Sequence, residues 1–391
     1  MYEINCRFFN GYKPCEKNTL CNQNCSYREI VKTSIVIVHL GAMGAVLRST
    51  ALLKMIKKKY PCSQITWITE DHSKPLLENN KYVDRVLGLS VKDFLILNGL
   101  SFDIGYFIDK SVEIAGIRKL VNPKQSYGFT MMEKTGAIIP INAEASELWE
   151  LGLNNHKKFY INRKSELELI AQSLQLNYSR EEYNITLSTN EYSTASLRRR
   201  EWSDNGRKII IGLNTGTSGV LKHKTIPIES WKKFIKSYQN NEKVSLVLLG
   251  GSLEEQDHEI LAKNSAVFRS PNSLGLRDGL CSVEAVDIVV TGDSLGMHMA
   301  IGLKKKVVAW FGPSCSQEID LYDRGIKVIS QFSCSPCWKK TCSELVKCNE
   351  KIDLALIAFA IKTILISIQM KSRFQPDIEI KNDSPLTQID I

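Results

Sequence analysis

From residue 33 onward the chain alternates short β-branched runs with helix-length amphipathic stretches, and few folds accept that rhythm. The runs IVIVH (35–39), QITWIT (64–69), RVLGL (85–89) and DIGYFI (103–108) form one set, and KIIIGLN (208–214), VSLVLLGG (244–251), DIVVTG (287–292), KVVAWFG (306–312) and IKVIS (326–330) form another. Strands separated by helix-length segments cannot close as tight hairpins, so they pair in parallel with helices on both faces. Between the sets, SELELIAQSLQL and NEYSTASLRRREW within 163–205 read as polar helices without strand signal. The expectation is an α/β chain of two Rossmann-like, doubly wound parallel-sheet domains facing a cleft, residues 31–185 and 190–350. At 391 residues and 43% hydrophobic content the chain can bury two such cores.

Open parallel sheets bind ligands beyond the carboxyl ends of their strands, so the residues just after each run are the ones to inspect. In order they are Gly41 and Gly44, then Asp109-Lys110-Ser111, then Thr215-Gly216-Thr217-Ser218-Gly219. After them come Ser252 with Glu254 and Glu255, Asp293-Ser294 followed by His298, and Pro313-Ser314. Hydroxyls, glycines and helix starts supply oriented N–H and O–H donors, which suit phosphate oxygens. Neither domain carries G-x-G-x-x-G or a Walker lysine loop, so dinucleotide and NTPase readings gain no support. Several of these residues also have plain structural readings. Asp109 could cap the helix beginning SVEIAGI, His298 could be a hydrogen-bonded core residue, and Glu254 and Glu255 suit a helix start through its dipole alone.

The net charge of +9 comes from scattered basic runs such as KMIKKKY, LRRREW and GLKKKV, which suggests anionic partners without naming one. The start MYEINCRFFNGYKPC has no basic stretch followed by an apolar one, so a cytoplasmic protein is expected. The segment LALIAFAIKTILISIQM at 354–370 carries Lys362 in its middle and falls short of a bilayer span. A buried helix over 351–370 is expected, with peripheral inner-membrane contact as the minority reading, and then a disordered tail over 371–391.

Eight of the eleven cysteines fall in two clusters, leaving Cys62, Cys281 and Cys315 isolated. Residues 1–30 hold Cys6, Cys15, Cys21 and Cys25, and a finger over 334–348 holds Cys334, Cys337, Cys342 and Cys348. In a cytoplasmic chain such clusters point to metal ligands more than to disulfides, and four thiolates close a tetrahedral site for zinc or iron. With every position taken by sulfur the metal would be structural. The C-x8-C-x5-C-x3-C spacing of the first cluster matches no nucleic-acid finger, so no nucleic-acid partner is expected.

Four fragments occur in a telling order: IVIVHLGAMGAVLRSTALLKMIKKKYP with ITWIT and YVDRVL; IGLNTGTSGVLKHKTIPIESW; LVLLGGSLEEQ; and VTGDSLGMHMAIGLKKKVVAWFGPS. Together they resemble glycosyltransferase family 9, whose best-known members are the ADP-heptose heptosyltransferases of lipopolysaccharide synthesis. The resemblance covers most of residues 33–352 and implies a GT-B fold, with an acceptor domain followed by a nucleotide-sugar domain. It implies inverting sugar transfer without a catalytic metal, onto a hydroxyl of a glycan, lipid-linked glycan or protein. Carried over by position, Thr215, Thr217 and Lys224 would contact the donor phosphates, with Gly216 and Ser294 lining the same loops. Glu254 would lie on the ribose or base side, and Asp293 with His298 on the donor sugar and diphosphate. Gly41, Gly44, Arg48 and Lys110 would lie on the acceptor and diphosphate side.

One departure stands out. The resemblance puts the base, an Asp in a G-x-x-G-D turn, at the position of Ala45. Either catalysis is lost and the chain is a silent nucleotide-sugar or glycan-binding protein, or the base has moved to Asp109 in the same domain. Autotransporter heptosyltransferases, a related branch, also use an aspartate from this region and carry an iron-binding four-cysteine finger late in the chain. Their resemblance makes iron at Cys334–Cys348 a reasonable expectation, and a loop pinned there by metal could frame the contact of a homo-oligomer. The main reading is an inverting glycosyltransferase with Asp109 as base.

Overall fold

The computed structural model describes residues 2–17, 21, 22, 24–217, 221–369 and 378–380. It divides into two compact units, one comprising Met1–Asn155 and Leu167–Asn184, the other His156–Glu166 and Ile185–Ile391.

The first unit is built on β1 (Thr33–Val38), β2 (Ser63–Ile68), β3 (Arg85–Leu87), β4 (Ile104–Phe107), β5 (Gln125–Met131) and β6 (Ile138–Pro140). They lie in the order β3-β2-β1-β4-β5-β6. The pairs are parallel except for β5 with β6, which close antiparallel. Ile35, Val36, Ile37 and Val38 of β1 are all fully buried, as a strand covered on both faces by helices requires.

The second unit carries β7 (Ile209–Asn214), β8 (Val244–Leu249), β9 (Phe268–Arg269), β10 (Ile288–Gly292), β11 (Lys306–Phe311), β12 (Gly325–Ile329) and β13 (Ile378–Ile380). The order is β13-β12-β11-β10-β7-β8-β9 and every pair is parallel. The helix Leu354–Gln369 packs into this core through Leu356, Ile357, Ala360, Ile361 and Ile364, in one cluster with Val308, Trp310, Ile326 and Val328. Its apolar run is therefore a core face, and no helix among the described residues is long and apolar enough to cross a membrane.

Several features depart from the sequence expectation. β5 and β6 carry glycine, polar residues and proline where apolar alternation would have marked them. Ile378–Ile380 pairs with β12 and forms an edge of the sheet, which corrects the expectation of a disordered tail for those three residues. The rest of 371–391 lies outside the described residues. Residues His156–Glu166 go with the second unit although first-unit residues flank them on both sides. There Lys158 pairs with Glu318 at 3.3 Å, and its backbone carbonyl accepts from Gln317 at 3.2 Å.

Candidate active site

In the first unit the chain runs from β1 outward to β2 and β3, then crosses to β4 on the other side of β1. The reversal point, where a doubly wound sheet opens a crevice, therefore lies between β1 and β4. Chain leaves β1 there as His39-Leu40-Gly41 and leaves β4 as Ile108-Asp109. These ends meet: Asp109 Oδ2 accepts from the backbone N–H of Leu40 at 2.5 Å and of Gly41 at 3.1 Å, and Oδ1 lies 3.1 Å from His39 Nε2. A β-carbon at Gly41 would stand 2.8 Å from Asp109 Oδ1, so glycine is what lets the turn close on the carboxylate.

Burial works against the Asp109 charge, but the His39 imidazole and the two N–H donors outweigh it and hold the carboxyl below the usual range. The capping alternative fails, because the helix Val112–Val121 is capped by Ser111, whose side chain accepts from Ile114 N–H. Lys110 Nζ donates to the Leu148 carbonyl at 2.8 Å and lies 5.5 Å from the centroid of the Phe129 ring. Gly44 and Ala45 fall in the first turn of the helix Met43–Ser49, and Arg48 of that helix is buried at 6% exposure. His39 was not singled out in the sequence, where it reads as the last residue of an apolar run. It is 2% exposed, and its Nδ1 has no hydrogen-bond partner.

The second unit repeats the plan. Its chain runs from β7 to β8 and β9, then crosses to β10, so its reversal point lies between β7 and β10. Asn214, at the end of β7, donates from Nδ2 to the Gly216 carbonyl at 3.0 Å, to Thr291 Oγ1 at 3.1 Å and to Ser294 Oγ at 3.0 Å, tying the two strand ends together. Lys224 Nζ donates to Asp293 Oδ2 at 2.6 Å, with both side chains about nine-tenths buried. Burial opposes the Asp293 charge, yet Lys224 and His298 hold its carboxyl below the usual range. His298, 5% exposed in the helix Leu295–Gly302, thus belongs to the same electrostatic group as Asp293.

Glu254 stands beside the β7 loop, since a β-carbon at Gly216 would fall 2.5 Å from its carboxyl carbon. Burial pushes its acid upward against a hydrogen bond from Gly251 N–H. Glu255 instead pairs with Arg269. Thr215 Oγ1 lies 2.8 Å from His258 Nε2, and His258 Nδ1 lies 3.0 Å from Asn272 Nδ2. His258 is fully buried and its pKa is lowered by that burial, so a neutral ring holds the Thr215 hydroxyl. Thr217 is half-buried on the same loop, while Ser218 and Gly219 lie outside the described residues.

The finger at 334–348 reaches this group through Trp338, whose ring lies 4.6 Å from Lys224 Nζ and 4.5 Å from Lys158 Nζ. Burial raises the Cys348 thiol to about 11, with Cys334, Cys337 and Cys342 adding to the effect, so the four sulfurs feel one another's charge. Among the described residues, however, no group of three or more His, Cys, Asp or Glu side chains is arranged to hold an ion.

Comparison with known proteins agrees with this architecture. The family model of glycosyltransferase family 9 (heptosyltransferase) matches residues 127–347. Lipopolysaccharide heptosyltransferase 1 of Campylobacter coli is 19% identical over 294 residues, 72% of this chain and 84% of that protein. The family 9 glycosyltransferase of Veillonella parvula superposes with a TM-score of 0.72 at 16% identity, covering 87% of this chain and 99% of that one. The E. coli ADP-heptose lipopolysaccharide heptosyltransferase II gives 0.63 at 18% identity, covering 87% and 100%. At these identities the solved structures speak for the fold, two parallel-sheet units of GT-B type. The family match spans more than half of the chain, and the protein therefore belongs to glycosyltransferase family 9, the heptosyltransferase family.

Proposed function

We propose that this glycosyltransferase moves a heptose from ADP-heptose, with inversion, onto a hydroxyl of a glycan such as a lipopolysaccharide core, with Asp109 as the base. The observation that carries the reading is the Asp109 carboxylate, kept ionised at the β1/β4 reversal point by His39 and the turn that Gly41 closes. A carboxylate offers about four lone-pair positions, and three are used here, which leaves one for an acceptor hydroxyl. In the reaction that hydroxyl gives its proton to Asp109 as its oxygen bonds the anomeric carbon, and the bond from that carbon to the diphosphate oxygen breaks. Lys224 has N–H donors beyond the one given to Asp293, and with Thr215 and Thr217 it would take up the charge of the departing diphosphate. No catalytic metal enters this scheme.

The related proteins named above support ADP-heptose and lipopolysaccharide as the first substrates to try. Glu254 and His298 would set the ribose and sugar sides of the donor. The chain would work in the cytoplasm, where its +9 charge suits anionic partners such as nucleotide phosphates. Cys334, Cys337, Cys342 and Cys348 would hold a structural iron or zinc ion that fixes the loop carrying Trp338. Such an ion would supply crosslinking and charge compensation for the thiolates.

The test is a thermal-shift and transfer series with ADP-, UDP- and GDP-linked sugars. ADP-heptose should raise stability most, by about 2.7 kcal/mol at a hundredfold excess over Kd, and should alone support transfer. Equal shifts across the panel, or transfer from another donor, would overturn the donor assignment.

A further inference from the structure

We propose that Cys6, Cys15, Cys21 and Cys25 form a zinc site with four thiolate ligands that folds the amino-terminal segment onto the first unit. Though spread over the first 25 residues, the four cysteines line a single cavity of about 10 Å³ together with Phe8, Phe9 and Tyr27. That is about the space of one small sphere, enough for a single water or ion. Glu3, Asn22 and Arg28 complete the lining, and four sulfurs are the number that a tetrahedral thiophilic cation takes.

The segment otherwise lacks what would hold it together. Among the described residues before Thr33 there is no helix or strand beyond the Cys6–Ile30 bridge, and none of them is buried; the first residue of the hydrophobic core is Ile35. Stretches this short without a core are usually held by crosslinks or metal. The backbone nonetheless turns back at the cysteines. Cys6 carbonyl accepts from Phe9 N–H at 2.9 Å, Cys25 carbonyl from Arg28 N–H at 3.2 Å, and Cys25 N–H donates to Asn22 carbonyl at 3.2 Å. The folded segment is then fastened outward. Arg7 bonds the Asp84 carboxylate, the Lys81 carbonyl at 2.8 Å and Glu29 at 3.2 Å, and Val31 N–H donates to Asn5 carbonyl at 2.9 Å.

Binding is an exchange of one zinc ion for four thiol protons released to solvent, which leaves a zinc tetrathiolate of charge −2. Arg28 lines the cavity beside Glu3, with which it pairs at 3.5 Å. As placed, the thiols do not yet form a closed ligand set, so the ion draws the sulfurs inward as it binds.

Two measurements on the full-length chain test the site. Elemental analysis should show that Cys21→Ser/Cys25→Ser lacks one zinc equivalent per chain that the unsubstituted protein retains through dialysis. Because that variant could fail to fold, the second measurement uses the unsubstituted protein, alkylated natively with and without a chelator and mapped by peptide mass. Cys6, Cys15, Cys21 and Cys25 should be protected until the chelator is added and then react together. Equal zinc content in both proteins, or equal alkylation of the four thiols before and after chelation, would overturn the proposal. Iron in place of zinc at these residues would overturn the choice of metal.

Discussion

The two units place an aspartate at the same point of the same topology and hold it in different ways. At the β1/β4 reversal Asp109 is held by an imidazole and two backbone N–H groups. At the β7/β10 reversal Asp293 is locked to the Lys224 ammonium at 2.6 Å, with His298 close by. One carboxylate is kept charged yet has a lone pair left for a hydroxyl. The other is paired with a cation. Under the proposed mechanism, the difference teaches that a strand end in this fold serves as a base or an anchor according to what neutralises it.

Asp109→Asn should have the largest effect. It retains the shape and some hydrogen-bonding capacity while removing the proton acceptor, so kcat should fall by about 10²–10⁴-fold. Donor Kd, read by calorimetry, should stay within about twofold, because the proposed donor groups belong to the second unit. An unimpaired variant would end the division of labour between the two aspartates.

Lys224→Met should come next. It leaves a buried carboxylate without its cation, a change that typically costs about 3–5 kcal/mol of stability, and it should also abolish donor binding. Lys224→Met/Asp293→Leu should regain most of the stability, seen in urea unfolding, while donor binding stays lost. If the double variant bound donor normally, Asp293 and Lys224 would be a structural pair only.

Much of this contrast was legible in the sequence, and the limits of legibility are physical. Apolar runs followed by Asp109, Thr215 and Asp293 located the strand ends at which these residues sit, because a strand's end is a local property of the chain. His39, Asn214, His258, Asn272 and Trp338 were not found, since each acquires its role through contacts made across the fold. His39 reaches Asp109 some 70 positions along the chain, and Trp338 meets Lys224 and Lys158 only through the path of the cysteine loop. The helix after β4 shows the same limit. The sequence offered Asp109 as its cap, and the structure gives the cap to Ser111 and places Asp109 against the turn.

His39→Leu probes how Asp109 is held. Without the imidazole, burial is opposed only by the two N–H donors, so the Asp109 carboxyl should titrate at higher pH. The sign follows from the depressed carboxyl. The folded state binds fewer protons than the unfolded state below the ordinary value of 3.8, so the stabilisation is present above that value and lost as pH falls through the folded pKa. In the variant that stabilisation should be smaller and its loss complete at higher pH, and the acid limb of the rate profile should move upward with it. A kcat decrease of about tenfold, or 1.4 kcal/mol, is expected at neutral pH. An unmoved acid limb would show that the main chain alone sets the charge of Asp109.

The smallest expected effect is none at all. Ala45 occupies the position where the heptosyltransferase pattern has its base, half-buried in the first turn of the helix Met43–Ser49. If the base has moved to the end of β4, Asp109 has its position through His39 Nε2 and the Leu40 and Gly41 N–H groups, and residue 45 has none of these contacts. Ala45→Asp placed in the Asp109→Asn background should then leave transfer as low as Asp109→Asn alone. Recovery of kcat would mean that the acceptor hydroxyl still lies over the glycine turn, and that Asp109 in the unsubstituted protein orders that turn without taking the proton.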